Sequence, residues 1–533
     1  MVTELSQDGF FSGMHKGMSI TAALLVLAFV LFTGVMPDLA GGLFGTTRAW
    51  IETTFSGYYL ITVMILLVVC GYIVLSRHGS VRLGPDDSRP DFSNFAWFSM
   101  LFSAGIGIGI LFFGVAEPTF YFDNTGAFGY PNNPHADMAG AVAMNHERAI
   151  DALRVSVFHW GLHGWAIYVI VGMSLAYFAY RKGLPLALRS SLYPFIGERI
   201  FGPVGHLVDI LGVLGCVFGV ATSLGLGVSQ MAVGLERLIG IASGLPTQLI
   251  LIALISVISI VSAVTGVRRG IRIISEMNIW VSVFVIGTFL IGGPTLWLAS
   301  AFGETVLDYT INFIPMGLWF ANDPGTVEWQ QDWTIFYWGW WLAWAPFVGI
   351  FIARISRGRT LREFVLGVLL VPTMIIFVWL IIFGGNALHQ ELTAAGGPGS
   401  GGIIELVNAW KLPAALFASA DGIAGTGVFG WLLSAMMVFL LMSWFVTSSD
   451  SGTLVLTTIL SLGNDEPPQR FRVFWGVVIG MVAAVLLVAG GLKALQTALI
   501  AAALPLSVVI LVMTAGVLVS LICESRRSRM ATE

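Results

Sequence analysis

Apolar residues in this chain run together for about 18 residues or more at a stretch, with neither the two-residue alternation of a half-buried strand nor the one-sided stripe of a surface helix. Runs of that length cross the roughly 30 Å hydrocarbon core of a bilayer as helices. Twelve are read, near 18–36, 58–76, 95–115, 155–180, 205–235, 247–265, 277–300, 334–353, 363–384, 425–460, 473–491 and 496–523. The run 425–460 is too long for one straight span, so it tilts strongly or carries a flanking helix. Its lead-in, Gly396 to Gly402, reads GGPGSGG and is a flexible loop by composition. The opening MVTELSQDGFFSGMHKG is polar and the run after it is already full length, so no cleavable leader is expected. The predicted fold class is an all-α polytopic membrane protein with twelve transmembrane helices, both ends on the same side.

Composition agrees and removes other classes. Of 533 residues, 56% are hydrophobic and 11% charged, against roughly 25% charged in soluble domains. A formal net charge of −4 with no basic block excludes a nucleic-acid binder. Cys70, Cys216 and Cys523 are an odd trio on three apolar runs, which is no disulfide framework. Six of the 26 Lys and Arg (Arg48, Arg148, Arg154, Arg237, Lys411 and Lys493) fall on one side of the twelve-span arrangement and all the others on the side of the two termini. The positive-inside rule therefore makes the termini cytoplasmic. The outer segment 301–333 has no Lys or Arg but carries Glu304, Asp308, Asp323, Glu328 and Asp332.

Two spans are irregular. The third holds Gly105, Gly107 and Gly109, and Gly costs about 1 kcal/mol against Ala in a helix, so the run invites local unwinding. Unwound backbone at membrane depth is tolerated where it faces protein or a water-filled cavity. The eighth crowds Trp338, Trp340, Trp341 and Trp344 ahead of Pro346. Five spans separate the two, an odd offset that makes them antiparallel, and interrupted helices in corresponding places of two inverted halves point to a transporter's binding site. On the fourth span Trp160, Tyr168 and Trp165 fall near 0°, 80° and 140° of one helix, a single broad face. Two aromatic faces that meet form a box suited to a quaternary ammonium, whose diffuse charge has no N–H to donate and is drawn to ring faces by about 2 kcal/mol or more when desolvated. The competing reading is core packing and the interfacial aromatic belt.

Polar residues within the spans leave alternatives open. His159 and His163 have the spacing of two metal ligands but no third ligand nearby, and read as satisfied or cavity-facing histidines or as proton carriers with Glu117. The stretch Thr447-Ser448-Ser449-Asp450-Ser451 offers hydroxyls to a small hard cation such as Na⁺, or hydroxyls bonding back to helix carbonyls. Asp209 and Asp450 are the aspartates within or at the edge of spans, and neither sits in a catalytic motif. A channel would need a continuous polar pore, which the aromatic faces oppose. No enzyme is expected, and no cofactor.

Four stretches carry a resemblance: MLFSAGIGIGILFFGVAEP (100–118), FHWGLHGWAIY (158–168), FYWGWWLAWAPFVGIFIARISRGRT (336–360) and VTSSDSG (446–452). Together they resemble the betaine/choline/carnitine transporter family, over about 18 to 520. The resemblance implies a secondary transporter importing choline or glycine betaine, with carnitine or a dimethylsulfonium compound as alternatives, by symport or exchange. It implies two inverted five-helix repeats, spans 3–7 and 8–12, of the sodium-coupled amino-acid transporter type. On this reading residues 1–94 are two peripheral helices, 95–300 the first repeat and 334–523 the second, in one transporter domain. It also implies a homotrimer.

Carried over residue by residue, the family's aromatic box matches Trp160, Trp165, Tyr168 and Trp341, with Trp344 one turn on as a further substrate contact. The shared sodium site matches Thr447 and Ser448 with backbone carbonyls near Ser103, Ile106 and Trp444. For the substrate's carboxylate or hydroxyl end, the amides of Gly105, Gly107 and Gly109 and the hydroxyl of Ser223 are the candidates. A second sodium site of betaine members uses two threonines, where this chain has Cys216 and Val220. Gly109 stands where proton-coupled choline members can hold Asp, which favours Na⁺ coupling. GVAEP and the loop SLYPFIGERIFGPVGH (191–206) are more like choline carriers, which keeps H⁺ coupling open.

Overall fold

The computed structural model describes residues 5–105, 107–265, 268–464 and 466–532, with the backbone alone for 102–105, 263–265, 268–275, 447 and 527–532. The described chain is helical throughout, the one strand-like feature being an isolated antiparallel bridge between Arg82 and Thr360. The helices are α1 (Lys16–Val35), α2 (Pro37–Leu75), α3 (Asn94–Gly105), α4 (Ile108–Phe122), α5 (Pro134–Ala139), α6 (His146–Trp160) and α7 (Leu162–Ala176). Then come α8 (Tyr193–Ile196), α9 (Pro203–Ile239), α10 (Leu245–Thr265), α11 (Arg268–Gly292) and α12 (Thr295–Gly317). The rest are α13 (Pro324–Gln330), α14 (Phe336–Ile355), α15 (Leu361–Leu392), α16 (Ile403–Asn408), α17 (Leu412–Ala424), α18 (Val428–Leu460) and α19 (Gln469–Thr532).

Among the described residues nine helices are long and apolar enough to cross a membrane, or ten with one bent pair counted as a span. The difference from the twelve predicted runs has physical causes. The third run is split into the short helices α3 and α4, with Gly107 extended between them (φ −126°, ψ 177°). The last two runs join in α19, whose helical geometry fails at Gly490 and Gly491; the latter takes φ 59°, a left-handed conformation open to glycine. The bent pair is α11 and α12, which meet at 103° across Gly292-Gly293-Pro294. Half of the outer segment read as loop is thus a helix lying across the bundle, tied down by Arg154 to Asp308 (2.8 Å) and His146 to Glu304 (2.8 Å).

Helix α2 also starts well before its predicted span. Residues 37–57 carry glycines and polar groups that read as loop, but Pro37 opens a helix there and Arg48 stiffens it. That guanidinium bridges Glu52 one turn on (2.6 Å) and reaches Asp332 (2.6 Å) ahead of α14. The run 425–460 is one 33-residue helix, α18 (Val428–Leu460), with no flanking helix within it; the separate α17 precedes the run and packs on α4.

At the centre, α14 packs on α7, α9 and α19, and α4 on α6, α15 and α17. Two aspartates inside or at the edge of this bundle are paired with arginines. Asp209 accepts from the Arg189 backbone amide (3.0 Å) and guanidinium (2.6 Å), with both side chains fully buried. Asp450 is bonded to Arg472 (2.5 Å), so both aspartates stand in arginine pairs. Removing one partner of a buried pair leaves an uncompensated charge and costs roughly 3–5 kcal/mol. Asp209→Ala should therefore lower the melting temperature of the detergent-solubilised protein by several degrees. Asp209→Ala with Arg189→Met should recover part of the loss, and a single variant as stable as wild type would contradict the pairing.

Candidate functional site

The fourth span is not the single helix assumed in the angular reading of its aromatics. It breaks at Gly161 (φ −94°, ψ −136°), so Trp160 ends α6 while Trp165 and Tyr168 lie on α7. A break strips backbone groups of their intrahelical partners. Two are taken up by side chains: the Leu162 amide donates to the Tyr309 hydroxyl (3.2 Å), and the His159 carbonyl accepts the indole N–H of Trp341 (2.9 Å). The second bond orients the Trp341 ring, and the three aromatics converge on it despite the break. Ring centroids lie 6.1 Å from Trp160, 5.7 Å from Trp165 and 4.8 Å from Tyr168.

Two glycines make room for these rings. A Cβ on Gly164 would stand 2.3 Å from Trp341 Cε2. One on Gly109 would stand 2.6 Å from Trp340 Cη2 and 2.8 Å from Trp160 Cη2. Gly109 is thus a packing requirement of the box as well as the residue that lacks an Asp.

The rings border a cavity of about 170 Å³. Of the predicted substrate contacts, Trp160, Trp165, Tyr168, Trp341, Trp344, Gly107, Gly109 and Ser223 all line it. Ser448 of the predicted cation site lines it too. Ile106 and the side chains of Ser103 and Thr447 lie outside the described residues, as does Gly105 beyond its place as the last residue of α3. Trp444 packs its ring on Trp379, 5.9 Å away. Val220 lines the cavity and Cys216 is buried, so the positions of the second sodium site present an isopropyl group and a thiol.

The arrangement has chemistry for both ends of a small zwitterion or amino-alcohol. Electron-rich ring faces attract a desolvated quaternary cation. The indole N–H groups of Trp165 and Trp344, both on lining residues, have no hydrogen-bond partner among the described residues. They and the Ser223 hydroxyl can donate to an oxygen.

Sequence reasoning missed several lining aromatics: Trp340 beside Trp160, and Phe347, Phe351 and Phe445. It also missed what Glu117 does. This carboxylate is fully buried and held by four groups: Tyr121 (3.0 Å) and His159 Nδ1 (2.8 Å) at Oε1, and Trp160 Nε1 (2.8 Å) and Tyr337 (2.5 Å) at Oε2. His159 is hydrogen-bonded also to Tyr121 (3.1 Å) and Thr334 (3.1 Å), whereas His163 stacks on Trp338, with neither ring nitrogen partnered among the described residues. The signal for Glu117 was its place in an apolar run, since an ionisable residue at membrane depth is functional by default. Phe113 packs on Trp340 (6.0 Å) and also lines a second pocket with Arg48, Tyr130 and Asp332.

Comparison with known proteins agrees with this geometry. Residues 18–526 match the family described as BCCT, betaine/carnitine/choline family transporter. The chain is 40% identical over 505 residues to a probable glycine betaine transporter of Desulfitobacterium hafniense, covering 94% of this chain and 96% of that one. It is 39% identical over 510 residues to the glycine betaine transporter OpuD of Bacillus subtilis, covering 95% and 94%. It is 41% identical over 536 residues to the high-affinity choline transport protein of Escherichia coli, covering 99% of this chain and 75% of that one. The chain belongs to the betaine/carnitine/choline transporter family, a family of membrane transporters and not of enzymes.

Proposed function

We propose that this protein is a secondary active transporter that imports a quaternary ammonium compound, choline or glycine betaine, across the bacterial inner membrane. The observation that carries this is the meeting of Trp160, Trp165, Tyr168 and Trp341 around one cavity, with the backbone broken beside it at Gly107 and Gly161. The names of the relatives, glycine betaine and choline carriers, support the same substrate class.

Twelve spans follow from counting α3 with α4 as one broken span, α11 with α12 as one bent span, and α19 as two. Residues 95–300 and 334–523 then form the two inverted five-helix repeats, after two peripheral helices in 1–94, with both termini cytoplasmic. Alternating access comes from one bundle rocking against the other about the box. A homotrimer is the proposed assembly.

Na⁺ is the proposed coupling ion, at the Thr447 and Ser448 hydroxyls with carbonyls near Ser103, Ile106 and Trp444; Ser448 on the cavity wall supports it. H⁺ coupling is the second reading, favoured by one observation: the buried Glu117 and His159, 2.8 Å apart next to the box. Uptake of labelled choline and glycine betaine into proteoliposomes, with Na⁺ and H⁺ gradients imposed separately, separates the two. Thr447→Ala with Ser448→Ala should abolish the sodium response, and a full response in that variant places the ion elsewhere.

For the box, Trp341→Leu removes a ring face worth about 2 kcal/mol and should weaken substrate binding about thirtyfold while the protein still inserts. Gly164→Ala reaches the same ring without touching the cavity. It should weaken binding at least about tenfold by pushing Trp341 aside. Wild-type affinity in either variant rejects the aromatic box.

A further inference from the structure

A third cavity, of about 300 Å³, lies away from both spaces described above, between α1, α2, α9 and the second half of α19. Three of its walls are aromatic, Phe29, Phe44 and Phe218, beside Leu214. These rings brace one another: Phe29 stacks on Phe44 (5.7 Å) and meets Phe218 edge-on (4.9 Å). Facing them, α19 presents Ala498, Ala501, Ala502 and Pro505, whose side chains are too short to fill the space. The polar side chains on the lining are Thr47 and Thr497, and Thr497 donates its hydroxyl back to the Lys493 carbonyl of its own helix (2.9 Å).

A space with so few hydrogen-bonding groups does not hold water, and left unfilled it would cost its lining dispersion contacts. Its surroundings indicate the occupant. On each of the four helices an apolar residue within one turn of the lining is exposed: Leu25, Leu43, Leu207 and Val508. Phe29, Phe44, Phe218 and Ala501 are themselves half-buried, so the cavity opens on that same face. In a chain built of long apolar spans, such a face meets hydrocarbon. Along α19 the lining runs from Thr497 to Pro505, roughly 12 Å of helix, which fits within the roughly 15 Å of hydrocarbon in one leaflet.

The Thr497 end also carries a charge. Lys493 stands one turn before Thr497 and two residues past the break at Gly491. It is exposed, borders the second pocket, and has no ion pair among the described residues. We infer that this cavity is a binding site for one anionic phospholipid, with an acyl chain seated among Phe29, Phe44, Phe218 and Ala501 and the phosphate at Lys493. The chain would lie against α9, which turns Leu214 and Phe218 to this space and carries Val220 and Ser223 to the aromatic cavity. The lipid thus fills the hollow behind a helix that forms part of the ligand space.

The test uses the full-length protein in liposomes of phosphatidylglycerol and phosphatidylethanolamine, with a trace of phosphatidylglycerol carrying a diazirine midway along one acyl chain. After irradiation, labelled peptides are mapped by mass spectrometry. Label should concentrate in 211–218 and 497–505, well above that on the exposed apolar residues of α10, such as Leu254 and Val257. Ala501→Trp fills the cavity and should remove most of that label while leaving the label on α10 unchanged. Lys493→Gln leaves the cavity intact and should lower the label about fivefold by removing the attraction for the headgroup. Label no stronger than on α10, or undiminished in either variant, overturns the inference. If Ala501→Trp does not insert, undiminished label in Lys493→Gln overturns it alone. Label absent in bilayers but present in detergent micelles that disperse the protein to monomers would mean that a second copy of the chain covers the cavity, which also overturns it.

Discussion

In hydrocarbon every backbone N–H and C=O must find its partner within the protein, and most features of this molecule follow from that requirement. It makes the described chain helical almost throughout and confines breaks to places where other groups stand in. Gly161 is such a place: the groups freed there are met by the Tyr309 hydroxyl and the Trp341 indole. The second of these bonds is also what aims the Trp341 ring. The backbone break and the shape of the cavity are thus one event, because a carbonyl released from its helix holds the ring that faces the ligand space.

The same logic applies to charge. Buried ionisable groups in this bundle are solvated by protein: Asp209 by Arg189, Asp450 by Arg472, and Glu117 by hydrogen bonds with Tyr121, His159, Trp160 and Tyr337. The first two are charge pairs, neutral overall from any distance. The third is a hydrogen-bond network that includes His159, and through Trp160 it reaches the wall of the cavity.

Much of this was legible in the sequence because hydrophobic run length and ring chemistry are local properties. The long apolar runs located most of the helices, the GIGIG stretch located the break at Gly107, and Trp160, Trp165, Tyr168, Trp341 and Trp344 do line one cavity, whereas Trp338 stacks on His163 away from it. The errors have a common origin. The angular argument that put Trp160 on one face with Trp165 and Tyr168 assumed an unbroken helix, and a single glycine in HWGLH gives no local sign that tertiary contacts will support a break there. The helix over 295–317 and the long start of α2 depend on partners far away in sequence, Arg154 for Asp308 and Asp332 for Arg48. The role of Glu117 required knowing that Tyr121, His159, Trp160 and Tyr337 close around it, from three separate helices.

The bond from Trp341 to the His159 carbonyl joins α14 to α6, helices from opposite halves of the chain. Any movement that carries these helices apart must stretch that bond and part the Trp341 ring from Trp160. The bond and the ring contacts together form a clasp between the two helices. A ligand that sits among the rings replaces ring–ring contacts with ring–cation contacts that persist over a range of spacings, since the charge is diffuse and the ring faces are broad.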